Sequence, residues 1–572
     1  MAFSTKLFLT LLALPVLLVF TRLYNLFRNY LAARKIGLPI VISLESWQDP
    51  LWIFFGSYVR KSLSALGLWD RSEPDYTTIG WPIYDRYDSH AKYGPAFSIV
   101  TPFKTNVIVA ENEAARELFK EWRVWIKNRE LYAMMESFGK NVNSVNGDDW
   151  RRHRKVTAPA FKEANSKLVW NSAMEQANGL SKRWNENSKK SGGITLRELR
   201  GDANIVAMHV LAAATFNIKY DFEGGVEVSE PGHEMSYGEA MKTIVHNLSM
   251  MLVPIIFGLA RLGIPSWMMP AGLKRLKVAV FEIQNYLESY VAQERKQYRE
   301  GGESRDDLMS SLVRANEAEK EKLGTEKMKW ALSDEELYGN LFMFNQAGHE
   351  TTSSALSYAI PFLAAYPGVQ EWIREEVDAI FRNGDVPYAA AMPRLVRCDA
   401  LMYETIRFFS AVPMHPKYTG NISQVLSIAG HDHVIPAHTF VSINYYAIHF
   451  NPSTWGSDVN EFRPSRFIKS SLTPGTETFA IPEKADFIGW SSGPRVCPGK
   501  KFSQVEFVAT IVRLLREFVL KPAQRAGESE ETAGKRLVEV MSDVEHFISA
   551  MPRHPDDAGF VCIKRARWTA TE

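Results

Sequence analysis

Cysteine is scarce. Cys398, Cys497 and Cys562 are the only three in 572 residues. None belongs to a C-x-x-C pair, which argues against a structural zinc site, and three widely spaced cysteines make no disulfide framework. The main body therefore suits a reducing compartment. Charge of one sign is also lacking. The net charge is +2, so no global field draws the chain to nucleic acid. No low-complexity linker and no internal repeat divides it. Against these absences stands a content of 46% hydrophobic and 12% aromatic residues, enough for a large core.

Leu7 to Phe20 is apolar except for Thr10. It is short for a spanning helix, and Pro15 is expected to interrupt it. A cleaved signal peptide is the competing reading. A retained anchor over residues 1–35 is preferred, because no oxidised-cysteine framework follows. Arg22, Arg28, Arg34 and Lys35 lie after the run and only Lys6 before it. That bias places the body, residues 36–572, in the cytosol. Glycosylation of the sequons at Asn247 and Asn421 would instead put it in the lumen.

The chain is organised around Phe487 to Glu506, FIGWSSGPRVCPGKKFSQVE. Downstream of Cys497, Phe502, Val505, Val508, Val512 and Leu515 recur at helical spacing. The cysteine thus ends a Gly/Pro-rich loop just before a helix, whose N-terminus favours thiolate. Gly493 and Gly499 let the backbone turn beside the sulfur and approach a flat ligand. Arg495 can bind a carboxylate at that ligand's rim. A lone cysteine is more often a small core residue. From average residue usage, however, G-x-R-x-C-x-G arises by chance on the order of once in several hundred chains of this length.

Elsewhere the local signals are weaker one by one. Tyr93 to Ala110 reads as two short strands around a turn, and residues 113–125 as a helix. Trp150 and Arg154, at i and i+4 in DDWRRHRK, share a helix face. Alone this is a solvated basic helix. Met250 to Lys274 is apolar but broken by Pro254, Pro265 and Pro270, so it is no single span. Ser333 to Glu336 is a capping box. It opens a long helix carrying Ala347, Gly348, His349, Glu350, Thr351 and Thr352. Small residues there point to close packing, and an acid beside a hydroxyl otherwise reads as a helical Ser/Thr face. Glu404 and Arg407 at i and i+3 read alone as a surface ion pair. Ile435 to Tyr446 is strand material, residues 524–536 are a polar stretch, and Phe560 to Ala566 is a final strand.

Taken together, these stretches resemble the cytochrome P450 family. The loop is similar to its F-x-x-G-x-R-x-C-x-G, with Trp490 in the first aromatic position. W-x-x-x-R, [AG]-G-x-[DE]-T-[TS], E-x-x-R and P-x-R-F have counterparts in the same order at Trp150–Arg154, Ala347–Thr352, Glu404–Arg407 and Pro464–Phe467. The resemblance implies a mainly α fold with a smaller β-rich region behind an N-terminal membrane-anchor helix. It implies haem b, with Cys497 as axial iron ligand. Trp150, Arg154, Arg495 and Lys417 would bind propionates, with His415 close by. Ala347 and Gly348 would face the ring, and Gly493, Gly499 and Trp490 the thiolate side. Thr351 and Glu350 would deliver protons. Glu404, Arg407 and Arg466 would form a buried structural network.

No flavin or nicotinamide module follows, so electrons would come from NADPH through a separate cytochrome P450 reductase, with cytochrome b5 as a second donor. The reductase would dock near Lys500, Lys501 and the basic run at 151–155. The implied activity is monooxygenation of an apolar small molecule in secondary metabolism, at the endoplasmic reticulum membrane with membrane lipid as a partner. Specificity would lie in 130–146, 205–255 and 410–418. Isomerisation or dehydration without O2, and a non-catalytic haem sensor, are the alternatives; neither needs the Glu350–Thr351 pair.

Overall fold

The computed structural model describes residues 2–47, 49–67, 75–78, 80–191, 193–224, 229, 232–245, 265–321, 330–470, 477–484, 486–546 and 550–565. It is mainly helical with a smaller sheet content. The chain divides into two compact units that alternate along the sequence. The first comprises Met1–Leu131, Val412–Asn460 and Lys484–Val496; the second comprises Tyr132–Ala411, Glu461–Glu483 and Cys497–Glu572.

The first unit is built on a five-stranded mixed sheet. Its spatial order is Ile40–Ile42, Ala96–Val100, Thr105–Val109, Phe440–Asn444, Met414–Tyr418. The expected hairpin is there: Ala96 pairs with Val109 and Val100 with Thr105, antiparallel. The three central strands are buried along their whole length. That explains why they read as near-continuous apolar runs rather than alternating ones. One face packs Val107, Val109, Val441 and Ile443 with Leu118 and Phe119. The other packs Phe97, Ile99 and Ile108 with Trp81 and Met414. Phe440–Asn444 ends the region expected as strand, and a short helix, Tyr445–His449, follows it. The helix Asn112–Lys120 starts where the Glu111 side chain accepts the N–H groups of Glu113 and Ala114.

Also in this unit, one helix spans Ala2–Arg34 and runs through Pro15 rather than stopping there. Proline removes one hydrogen bond but does not forbid continuation. Among the described residues no helix is long and apolar enough to cross a membrane. The side chains of residues 1–15, on which the expected anchor largely rests, lie outside the described ones.

The second unit is organised on the helix Asp334–Ala365. Both halves of the capping box form: Glu336 N–H donates to Ser333, and Ser333 N–H to Glu336. Most of its side chains are buried, because the helices Leu196–Phe216, Val396–Phe408 and Lys500–Glu517 all pack on it. A three-stranded sheet orders Phe518–Pro522, Gly559–Lys564 and Ile194–Thr195. The polar stretch at 524–536 is not simply a loop. Ser529 caps a helix, Glu530–Ser542, that buries Ala533, Leu537 and Met541. Much of the apolar segment expected at 250–274 lies outside the described residues; its described part includes a short turn at Ser266–Met268.

Candidate functional site

In the second unit, Cys497 stands just before the helix Lys500–Glu517 with its residue exposed. The N–H at the helix end acts on the free thiol in the expected direction, toward thiolate, but other effects outweigh it. Burial in surrounding protein pushes its pKa up, against the Gly499 N–H and the Arg154 guanidinium, which pull it down. Desolvation outweighs one hydrogen bond and one half-exposed cation. A thiolate at this position therefore calls for a further positive charge, such as a metal ion that deprotonates it. Gly499 has ordinary backbone angles, and a Cβ there would sit 3.8 Å from the Cys497 Sγ, an unstrained contact.

The helix Gly147–Thr157 carries Trp150 and Arg154. Trp150 is buried. Burial lowers the Arg154 pKa, and Cys497 acts in the opposite sense, so the guanidinium lies within electrostatic reach of the sulfur. The basic run around them is not a free docking patch. Arg152 makes a two-pronged bond to Glu336, at 2.7 and 2.6 Å. Buried His153 meets the Asn340 side chain at 2.9 Å. Lys155 donates to Glu319 at 3.1 Å, and Arg151 pairs with Asp148. The acids that neutralise the run come mostly from distant sequence, which composition does not reveal.

On the buried helix Asp334–Ala365, Ala347 and Thr351 are exposed and Gly348 is half-buried. They share a face, and Thr351 Oγ1 donates to Ala347 O at 2.9 Å. A Cβ on Gly348 would lie 3.2 Å from Leu211 Cδ1, so this glycine permits close approach of Leu196–Phe216. Glu350 is buried and accepts from Arg200 on that same neighbouring helix at 2.7 Å. The sequence gives no sign of Arg200 as its partner. His349 lies beside the same carboxylate, 3.9 Å away.

Glu404, Arg407 and Arg466 do come together, and all are almost fully buried. Glu404 accepts from Arg407 at 2.7 and 2.9 Å, from Arg466 at 3.0 Å and from the Arg463 N–H at 2.7 Å. Both arginines also donate to the Glu461 carbonyl. The network is saturated, as a buried ion cluster must be to avoid a large desolvation cost.

In the first unit, Lys417 and His415 sit on the strand Met414–Tyr418. Lys417 is 1% exposed. Burial and the nearby Arg495 push its pKa down to about 7. Lys127, absent from the sequence-derived set, is buried as well. Its pKa is driven far down by burial, Arg495 and Lys417. His415 is depressed by burial, then by Lys417, Lys127 and Arg495. Three cations thus crowd one buried region. A lone lysine in VWIKNRE carries no periodic or motif signal, so only the fold reveals it. Gly493 adopts φ +67°, and a Cβ there would come 2.9 Å from Phe119 O. Only glycine fits that turn. Trp490 is buried, with Phe487 5.6 Å away.

The exposed Cys497, with small residues and a hydroxyl on an exposed helix face of the same unit, fits haem. The family model for cytochrome P450 matches residues 83–541. A cytochrome P450 monooxygenase of Arthrobotrys oligospora is 26% identical, covering 90% of this chain and 91% of its own. The phomenoic acid biosynthesis cluster cytochrome P450 monooxygenase of Leptosphaeria maculans is 28% identical over 94% and 96%. Human cytochrome P450 3A5 is 23% identical over 90% and 91%. The chain belongs to the cytochrome P450 family, in the enzyme class of its monooxygenases.

Proposed function

We propose that this protein is a haem-thiolate monooxygenase that uses O2 and electrons from NADPH, passed through a separate cytochrome P450 reductase or cytochrome b5, to hydroxylate an apolar small molecule. The observation that carries the reading is Cys497, exposed just before the helix Lys500–Glu517, in a chain whose residues 83–541 match the cytochrome P450 family model. In the first unit, burial and the nearby Arg495 hold the Lys417 pKa near 7, a cost that an anion such as a haem carboxylate would offset.

Haem, when bound through Cys497, supplies the iron at which O2 is reduced and one oxygen atom is transferred to carbon. The chain does the rest. In the second unit Trp150 and Arg154, and in the first Arg495, Lys417 and Lys127, would hold the propionates. Ala347 and Gly348 would leave the helix face low enough for a flat ring. Thr351 Oγ1 now gives its hydrogen to Ala347 O. Rotated about χ1, its hydroxyl would be free to accept from water and to donate a proton on the helix face where haem would lie. Glu350, held by Arg200, restores the proton by way of water. Trp490 and Gly493 shape the thiolate side. Glu404, Arg407 and Arg466 hold the protein core in register.

Membrane attachment on the endoplasmic reticulum, with a cytosolic body and lipid contact, belongs to the same proposal. Its support is apolar exposure. Val16, Leu17, Val19 and Phe20 are all more than half exposed on the first helix. An apolar helix exposed all round is suited to lipid. Trp267 and Met268 are exposed as well. A role in secondary metabolism rests on the gene cluster in the name of the Leptosphaeria relative. Lys500, with Lys501, remains the expected reductase contact, without the run at 151–155.

The test is spectral and kinetic. Purified protein gives the thiolate-type ferrous–CO band, and Cys497→Ser abolishes it. Thr351→Ala keeps the band, while NADPH consumption with reductase outruns product. A wild-type protein lacking the thiolate-type band sinks the reading.

A further inference from the structure

The loop that leads to Cys497 turns on Ile488. Its carbonyl accepts the Ser491 N–H at 2.7 Å. That bond closes a turn with Gly489 and Trp490 at the two central positions, and Ser491 leaves it at φ 64°. The N–H of the same Ile488 donates to His449 Nε2 at 3.1 Å. Phe487, the preceding residue, stacks on the His449 ring with centroids 5.0 Å apart and planes 15° from parallel.

His449 itself has little freedom. It is completely buried at the end of the helix Tyr445–His449, whose first turn is capped by the Asn444 side chain. Trp455 meets the imidazole edge-on, 6.2 Å between centroids, and its indole N–H donates to Ile448 O at 2.9 Å. That helix follows directly on the strand Phe440–Asn444, in the interior of the sheet. Because Ile488 is the donor, Nε2 carries no hydrogen, and the ring is the Nδ1–H tautomer. A histidine that only filled core space would not aim a ring nitrogen at a backbone N–H where a loop begins.

We propose that His449 is a positioning residue for the cysteine loop. It accepts the Ile488 N–H and stacks Phe487, and so sets the turn that presents Trp490 and the backbone that continues to Cys497. The inference deepens the haem-thiolate reading and rests on it for its consequence, but not for the loop geometry. The chemistry at the iron is left to other groups; His449 acts through Ile488.

The test compares full-length wild type, His449→Leu and His449→Gln by hydrogen exchange resolved to single amides, and by the ferrous–CO spectrum. In wild type the Ile488 amide exchanges as slowly as those of Phe440–Asn444. In His449→Leu the amides of 488–496 exchange roughly tenfold faster, and more of the ferrous–CO form has lost thiolate ligation. His449→Gln, which keeps an acceptor, regains most of the protection. Unchanged exchange in His449→Leu overturns the proposal, and so does a glutamine variant no better protected than the leucine one. If His449→Leu does not fold, wild type decides: an Ile488 amide exchanging like an open loop overturns the proposal, and a protected one supports it. A protected, His449-dependent Ile488 in a protein without the thiolate-type band leaves the positioning role standing and removes the haem reading.

Discussion

Two charge clusters differ in whether an acid is shown among their members. In one, Glu404 stands between Arg407 and Arg466 and every strong donor has an acceptor. In the other, Lys127, Lys417 and Arg495 repel one another, and His415 beside them is pushed toward its neutral form. The first cluster carries its own acid, which is the mark of a structural device. In the second, burial and Arg495 push the Lys417 pKa down to about 7, so its charge costs stability that a bound anion would offset.

The largest effect comes from unbalancing the complete cluster. Glu404→Gln leaves two guanidinium groups buried beside a neutral amide, and about 3–5 kcal/mol of stability is lost. The urea midpoint of the haem-free protein measures it, and a shift under a third of that size would break the contrast.

Lys417→Met has the opposite sign. It removes one buried cation, so the haem-free protein holds or gains stability while haem is retained less well. The pH dependence follows the same logic. The folded Lys417 pKa, about 7, lies below its ordinary 10.5. Between those values the unfolded chain binds the proton and the folded chain does not, so stability rises with pH across that window and is flat below it. Lys417→Met removes this slope from the haem-free protein's denaturation midpoints.

Arg200 and Glu350 test the contrast at a middle scale. The pair is balanced, yet Glu350 adjoins Thr351. If balance alone meant scaffold, Arg200→Gln would change stability only. The expected result is a mild stability loss together with a change in product formed per NADPH. Smallest of all is Trp490→Phe. The fold and urea midpoint stay within about 1 kcal/mol, and a modest shift in haem reduction potential is read by redox titration.

Much of this was legible in the sequence, for a physical reason. Motifs whose partners lie within a turn or two, such as the Ser333 capping box and Glu404 with Arg407, announce themselves by spacing. So does the hairpin ending at Val109. Pairings that bridge long stretches of chain leave no local trace. Lys127 meets Lys417 only because Tyr418 bridges to Ile126 at the sheet margin. Arg200 reaches Glu350, and Glu336 reaches Arg152, through helix packing. The run at 151–155 looked like a free basic surface because Glu336 and Glu319, which pair with Arg152 and Lys155, lie far along the chain. The helix Glu530–Ser542 was masked by polar residues on its solvent side.

Glu336 does three things at once: it closes the capping box, grips Arg152 in two prongs and lies 3.4 Å from His153. Those bonds outweigh its burial and hold it ionised far below the carboxylate range. It is therefore an index mark shared by the helix of Trp150 and Arg154 and the helix of Thr351. Each residue added to or removed from a helix turns everything beyond it by about 100°. Inserting or deleting one residue between Glu336 and Thr351 would therefore swing the hydroxyl off its face. A codon gained before Ser333 leaves that angle untouched.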